Sequence, residues 1–510
     1  MGQIIIPGFK GGLAKEIFGV PRAQTFQTAK DLDIFTRMRT LGPHLGLGAD
    51  TTDKTRNNIK LDSVIKAADG RIYFKGFDEA GGTVLTIWDA STSLGSSTAL
   101  TAETVASGAG GGFGIVEFLS DLFYYESSTR IQAFDIGGAA VVTNAIAVNN
   151  TCPIFVHEGL KKMFYTVAAN QIGGTSTSTI SSTALLTFGE DIRPKRMAHW
   201  GQFIAIGLNT INNSKNAQIA IWNGSSSTIE DLIDVGDIGL QGIVNLGGHI
   251  YIITSSNPAG SAKYSVIRIY RWGGSSVELM WELDLKPTVS NAVSVDAESI
   301  KVYKDNLLFG MNALNAGSMT IDNGVYAFNH RSKILTLDRI VSDTSDIRIT
   351  SINVLDGLPV VTWTDGTNYR INHVPATNAK SSSGVYKSDI FALNNGKMDK
   401  IKRILIVHEN LPSSCGFTVK VQHFSHYPVG GSVASADSFT SLVTPQGSGG
   451  ASGVTQSTDN TGYTIIENHD KFKDARFAQL EIDFDEVSGV NSADIVFPIY
   501  IDTVSGSDSI

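Results

Sequence analysis

The sequence predicts an all-β protein: a β-propeller of about seven blades over residues 61–384, followed by a C-terminal β-sandwich over 385–510. Three observations lead there. A two-strand hairpin unit recurs along most of the chain. No stretch carries the i, i+3, i+4, i+7 apolar stripe of a long helix. The composition suits short strands and turns, with 52 Gly and only 17% charged residues among 510.

The clearest copy of the unit spans residues 193–227. Phe203 and Ala205 alternate with Ile204 and Ile206, so apolar groups fall on both faces of one strand, as in a sheet buried on both sides. Trp200-Gly201 makes the turn before it. Ile219, Ala220, Ile221 and Trp222 form the next apolar strand, and Asn223-Gly224 is a strong hairpin signal after it.

Residues 1–60 do not fit the unit. Phe26, Leu32, Ile34, Phe35 and Met38 have a weak helical spacing, which predicts an extended arm with one short helix within 24–40. Such an arm docks on a neighbouring subunit, lends a strand that closes the ring, or packs on its own domain.

Turns at Gly70, Asp121, Gly159, Gly201, Gly248, Asp305 and Gly357 then mark seven units, spaced 38 to 57 residues apart. Blades of repeat propellers take roughly 40–50 residues. One small sheet cannot bury both its faces; stacking the sheets radially does, and leaves only short edges.

The pattern breaks between residues 378 and 395, which places a boundary near Val385. Strands follow at 401–408, 417–424, 463–467, 477–484 and 495–501. In the fourth, Phe477, Gln479, Glu481 and Asp483 share one face, and Ala478, Leu480, Ile482 and Phe484 the other. That alternation predicts a strand with one solvent face. The Gly/Ser loop at 447–453 is flexible by composition.

The formal net charge of −9 is spread along the chain, which argues against a nucleic-acid-binding face. Two small basic clusters (Arg193, Lys195 and Arg196; Lys397, Lys400, Lys402 and Arg403) read as solvated strand edges that block unwanted pairing. Cys152 and Cys415 lie far apart with no CxxC pair, so they read as buried small residues, not zinc ligands or a disulfide. The first residues lack a signal-peptide pattern, Ile6 breaks the myristoylation pattern, and no apolar run approaches membrane-spanning length.

No catalytic, cofactor-binding or metal-ligating residue is assigned. Glu481, Asp483, Asp485 and Glu486 could hold a cation, but alternation puts the first three on the solvent face of a strand, which reads as a polar outer face. His423 and His426 form an HxxH without the helical HExxH a metalloprotease needs. Trp363-Thr364-Asp365-Gly366 reads as a hairpin turn, and Trp88-Asp89 mimics the WD dipeptide once only. The glycines of 108–114 do not follow a strand and open a helix, so they make no phosphate loop. Acceptor sequons at Asn149, Asn212 and Asn223 are of the kind that chance supplies in Asn- and Ser-rich chains.

The stretches 196–207, 219–224, 244–253 and 266–272, together with 477–484, resemble structural proteins of tailed bacteriophages, in which a propeller precedes a β-sandwich. The resemblance covers residues 50–500 and carries no functional residue. It implies a non-enzymatic virion component, a tail nozzle, ring or hub subunit made in the host cytoplasm. Its implied partners are copies of itself in a symmetric ring and other virion proteins. A stiff ring with repeated contacts suits that role, and an acidic subunit would not retain passing DNA. The expectation is thus a passive wall of a DNA-ejection conduit, with no membrane insertion. The alternative is a propeller that reads a host receptor or surface glycan. A third reading, a propeller glycosidase, needs paired carboxylates converging on the ring axis, and nothing in the sequence signals them.

Overall fold

The computed structural model describes residues 2–6, 8, 12–13, 25–35, 39–43, 48–49, 59–78, 84–89, 103–105, 114–127, 130–136, 140–147, 152–256, 265–285, 293–313, 323–341, 347–365, 369–373, 380–381, 384–394, 397–412, 415–425, 438–443, 462–486 and 492–505. The regular elements among them are strands, apart from two single-turn 3-10 segments, Ile211–Asn213 and Ala297–Ser299. The chain divides into two compact units. One comprises Ala49–Val325 and Val341–His373; the other comprises Met1–Gly48, Tyr326–Ile340 and Val374–Ile510. The limits expected from the sequence, 1–60, 61–384 and 385–510, do not coincide with these units.

The first unit has a β-propeller arrangement. Five antiparallel sheets follow one another, each built from four successive strands. They run from Ile59–Lys66 to Glu103–Val105, Ile115–Phe118 to Ala140–Ala147, Phe155–His157 to Leu186–Thr187, Ile192–Trp200 to Asp231–Asp234, and Leu240–Leu246 to Val277–Leu285. These are five blades, where the turn spacing predicts about seven. The sixth repeat, Ile300–Tyr303 paired with Asn306–Ala313, makes no free-standing four-stranded sheet, because the chain leaves this unit after Val325 and returns only at Val341. The seventh has three strands of its own, Arg348–Leu355, Leu358–Thr364 and Tyr369–His373. Its fourth, Gly48–Ala49, lies where the chain enters the unit.

Side-chain alternation explains why the blades stack. Met197 joins Cys152, Phe164 and Trp222 in the core between the third and fourth blades. Its neighbour Ala198 joins Ile219, Ile243 and Ile252 in the core between the fourth and fifth. Phe123, Tyr125, Ile154 and Tyr165 fill the same place between the second and third, and Tyr73, Ile115 and Tyr124 between the first and second. The second, third and fourth sheets therefore bury both faces, at about 1.5–3 kcal/mol per large apolar side chain.

In the second unit the ends of the chain are laced together. Gly2–Ile6 pairs antiparallel with Ile495–Ser505, with Gly2 opposite Thr503, and Ile495–Ser505 pairs in turn with Asp399–His408. A further sheet contains Thr25–Lys30, Gly384–Ser388, Phe477–Glu486, Gly416–Phe424 and Thr440–Val443. Tyr386, fully buried, lies 6.2 Å from Phe26 and meets Phe497 of the first sheet edge-on at 5.4 Å between ring centroids.

Thr25–Lys30 is a strand and not the helix expected within 24–40. Phe26 and Ala29 are both fully buried three positions apart, because the register shifts between Phe26 and Thr28. An irregularity of this kind resets the alternation and imitates helical spacing. Met38 and the loop at 447–453 lie outside the described residues.

Candidate functional site

Several residues singled out in the sequence occupy other surroundings than expected. Glu481 and Asp483 are not on a solvent face; each is only 7% exposed. Phe477–Glu486 is an interior strand, with Gly416–Phe424 on one side and Gly384–Ser388 on the other. Lys420 bonds to Asp483 and, at 3.2 Å, to Glu481, while Lys387 reaches Glu481 at 2.8 Å. Lys420 is pulled toward neutrality by burial, but its bonds to Asp483 and Glu481 outweigh this and leave its pKa raised. Two buried carboxylates and two partly exposed ammonium groups thus link three neighbouring strands.

His423 is buried and accepts a long bond from the Lys473 backbone at 3.5 Å; His426 lies outside the described residues. Among the described residues no cluster of His, Cys, Asp or Glu could hold a metal ion. Cys152 and Cys415 are buried free thiols. Trp363 sits within a strand, and its indole N–H donates to Asn372 Oδ1 at 2.9 Å; Gly366 lies outside the described residues. Asn223 caps its own hairpin, accepting from the Ser225 and Ser226 backbones and donating to Glu230. Asn149 and residues 108–113 lie outside the described residues.

Arg193, Lys195 and Arg196 do lie on an edge strand of their sheet, Ile192–Trp200, whereas the strand of the second cluster is interior. Asp399–His408, which carries Lys400, Lys402 and Arg403, is paired on both sides, and Arg403 bonds to Asp502. Arg193 spends its guanidinium on the Glu190 and Ile192 carbonyls. Arg196 lies on a first strand of the propeller, where the sheets come closest.

Those first strands adjoin one another in turn. Ile59–Lys66 lies beside Ile115–Phe118, which lies beside Phe155–His157, then Ile192–Trp200, Leu240–Leu246, Ile300–Tyr303 and Arg348–Leu355. The last returns to Ile59–Lys66. Asn353 ties that return, donating to the Val64 carbonyl at 2.5 Å. Each first strand, or the residues leading into it, carries a buried residue (Val64, Ile115, Ile154, Met197, Ile243, Ile300 or Ile352) preceded by a small residue or proline, except in the fourth. There Arg196 stands.

Arg196 crosses over Gly242, where an added Cβ would lie 3.3 Å from Arg196 Cδ and 2.4 Å from Ile300 Cδ1. Its Nη2 then donates to the Ile300 carbonyl at 3.1 Å, while Nη1 is buried with no hydrogen-bond partner. Glu298 leans toward Gly114, where an added Cβ would meet its Oε2 at 2.7 Å. Burial pushes the Cys152 thiol up to about 12, and Arg196, Glu298 and Lys195 are the charges that act on it. Burial also lowers the Lys301 pKa, with Glu298 opposing and Arg196 adding to the shift. Nothing in the local sequence marks this meeting, because its members come from separate repeats.

Toward one rim, Trp200 meets the buried Trp272 at 4.6 Å between ring centroids with the planes tilted by 41°, next to Phe203, which is 38% exposed. His157 and His199 lie 4.6 Å apart, ring to ring. No helix among the described residues is long and apolar enough to cross a membrane.

No family model and no curated protein matches this chain. Among solved structures it is similar to the computationally designed protein Ika8, with 10% identity and a TM-score of 0.38, over 63% of this chain and 98% of the other. It is also similar to the C-terminal WD40 domain of Sif2, with 8% identity and a TM-score of 0.40, over 62% of this chain and 82% of the other. An exo-β-1,3-galactanase from Phanerochaete chrysosporium aligns over 91% of this chain and all of the other, with 12% identity and a TM-score of 0.29. At such scores none of them bears on what this chain binds or does.

Proposed function

We propose that this chain is a non-enzymatic structural subunit of a tailed-bacteriophage tail, assembled with copies of itself and other virion proteins as part of the DNA-ejection conduit. The single observation that supports this most is the way each unit is fastened. The first strands of the propeller succeed one another back to the start, and one blade takes its last strand from Gly48–Ala49. In the other unit the first strand pairs with the last. Fastening by backbone ladders resists peeling and suits a part that bears load.

On this reading the succession of seven first strands is a seven-membered ring, two of whose members borrow strands. The two sheets bridged by Tyr386 and Phe497 are a β-sandwich. The test is mass spectrometry and electron microscopy of a phage that encodes the chain. The expected result is a symmetric tail density that fits it and is missing from the knockout particle. A normal, infective particle without it would overturn the proposal.

A host-glycan reader is the second reading, favoured by Phe203, 38% exposed, beside the half-buried Trp200 on one rim. Aromatic faces of this kind suit sugar rings. Saturable binding on a glycan array, lost in W200A, would support it over a purely structural role.

A further inference from the structure

Three cations and one carboxylate gather where the first strands of the propeller meet: Lys195, Arg196, Lys301 and Glu298. None of the four is ion-paired with a described residue. Lys195 is exposed, and Arg196 and Lys301 are partly buried, so the group is open to solvent on one side. The Arg196 guanidinium has one nitrogen committed to the Ile300 carbonyl and a second buried with nothing to bond. A buried donor without an acceptor is costly, and a guanidinium is built to offer two parallel N–H groups to an oxyanion. Lys301 follows the residue whose carbonyl Arg196 holds, near enough for the two cations to act on each other. Gly242 supplies the gap through which the guanidinium reaches it.

We propose that this inner level of the propeller binds a small oxyanion, a phosphate or a carboxylate, between Arg196 and Lys301, with Lys195 at its mouth. The anion supplies the missing acceptor for Arg196 Nη1 and separates two like charges drawn together by the fold. Glu298, the one carboxylate of the group, opposes it and limits the affinity. Selectivity then follows charge and shape: a doubly charged phosphate gains more from the two cations than acetate does.

The experiment is calorimetric titration of the whole protein at pH 7 in dilute buffer. Sodium phosphate, sodium acetate and sodium chloride are titrated separately at matched ionic strength. The expected result is saturable binding of one anion per chain, with phosphate bound more tightly than acetate. K301M is expected to weaken binding about tenfold, as is R196Q. E298Q is expected to tighten it several-fold, since a repelling charge is gone. If R196Q fails to fold, K301M and E298Q carry the test. No saturable binding of either oxyanion beyond the chloride control, or equal affinity in K301M and wild type, would overturn the site.

Discussion

Asp237 Oδ2 accepts a hydrogen bond from Thr254 Oγ1 at 2.6 Å, which joins the connection between two blades to the second strand of the later one. The same oxygen accepts from Arg268 Nη1 and from the Tyr270 hydroxyl, each at 3.2 Å. The Asp237 backbone carbonyl accepts from Ala217 N at 2.7 Å on the earlier blade. One nearly buried carboxylate thus sets the spacing of the fourth and fifth blades. Removing it in D237A leaves three donors short of an acceptor, although Arg268 keeps Glu282 at 2.7 Å. The expected loss is about 2–3 kcal/mol, read as a lower urea midpoint at unchanged slope.

Trp222 is fully buried between the third and fourth blades and meets Phe164 edge-on at 5.4 Å, while its indole N–H donates to the Ser226 carbonyl at 2.6 Å. W222A removes the packing and the bond together. A loss of about 3–5 kcal/mol is expected, followed by circular dichroism during chemical unfolding. W222F keeps most of the apolar contact and should cost less than half as much.

The Lys420 ion pairs give a prediction at high pH. The pKa of Lys420 is raised in the folded chain, so the stabilisation is fully present below its unfolded value of about 10.4. It is lost as pH rises through the folded value. Wild type should therefore lose stability more steeply than K420M above about pH 10. At neutral pH K420M should be the less stable by about 1–3 kcal/mol, because Asp483 and Glu481 lose the Lys420 ammonium while Glu481 keeps Lys387.

His199 acts in the opposite direction. Desolvation, and then the neighbouring His157, lower its pKa. Its contribution is fully present above the unfolded value of about 6.5 and is lost as pH falls toward the folded value. Melting temperature should fall between pH 7 and pH 5, and H199Q should flatten part of that slope. An unchanged profile in H199Q would remove this pair from the acid response.

Two glycines with positive φ should respond differently to alanine. Gly239 has φ +71, and an added Cβ would lie 2.3 Å from the Ser255 carbonyl oxygen; Gly70 has φ +85 with open space around it. G70A should cost about 1–2 kcal/mol, the left-handed strain alone. G239A adds a backbone collision and should cost more, with thermal unfolding as the measurement.

Local chemistry was readable from the chain. Alternation at Ile204, Ala205 and Ile206 placed apolar groups on both faces, and these residues do fill two different inter-blade cores. Asn223-Gly224 marked a hairpin, and Gly224 has φ +76 there. The isolation of Cys152 and Cys415 read correctly as two buried thiols. These outcomes depend on residues within a few positions of one another.

Tertiary structure alone decided the rest. Turn spacing could count repeats but not blades, since whether a repeat closes its own sheet or takes a strand from Gly48–Ala49 is a matter of distant pairing. Alternation put Glu481 and Asp483 on one face but could not say what covers that face. Lys387 and Lys420, from the two flanking strands, cover it, with Phe439 4.9 Å from the Lys387 ammonium. Arg196 read as part of a solvated strand edge, and its strand does end its sheet, but what its guanidinium meets was not legible. Gly242 and Ile300 meet it there, and both arrive from later repeats that only the folded chain brings alongside.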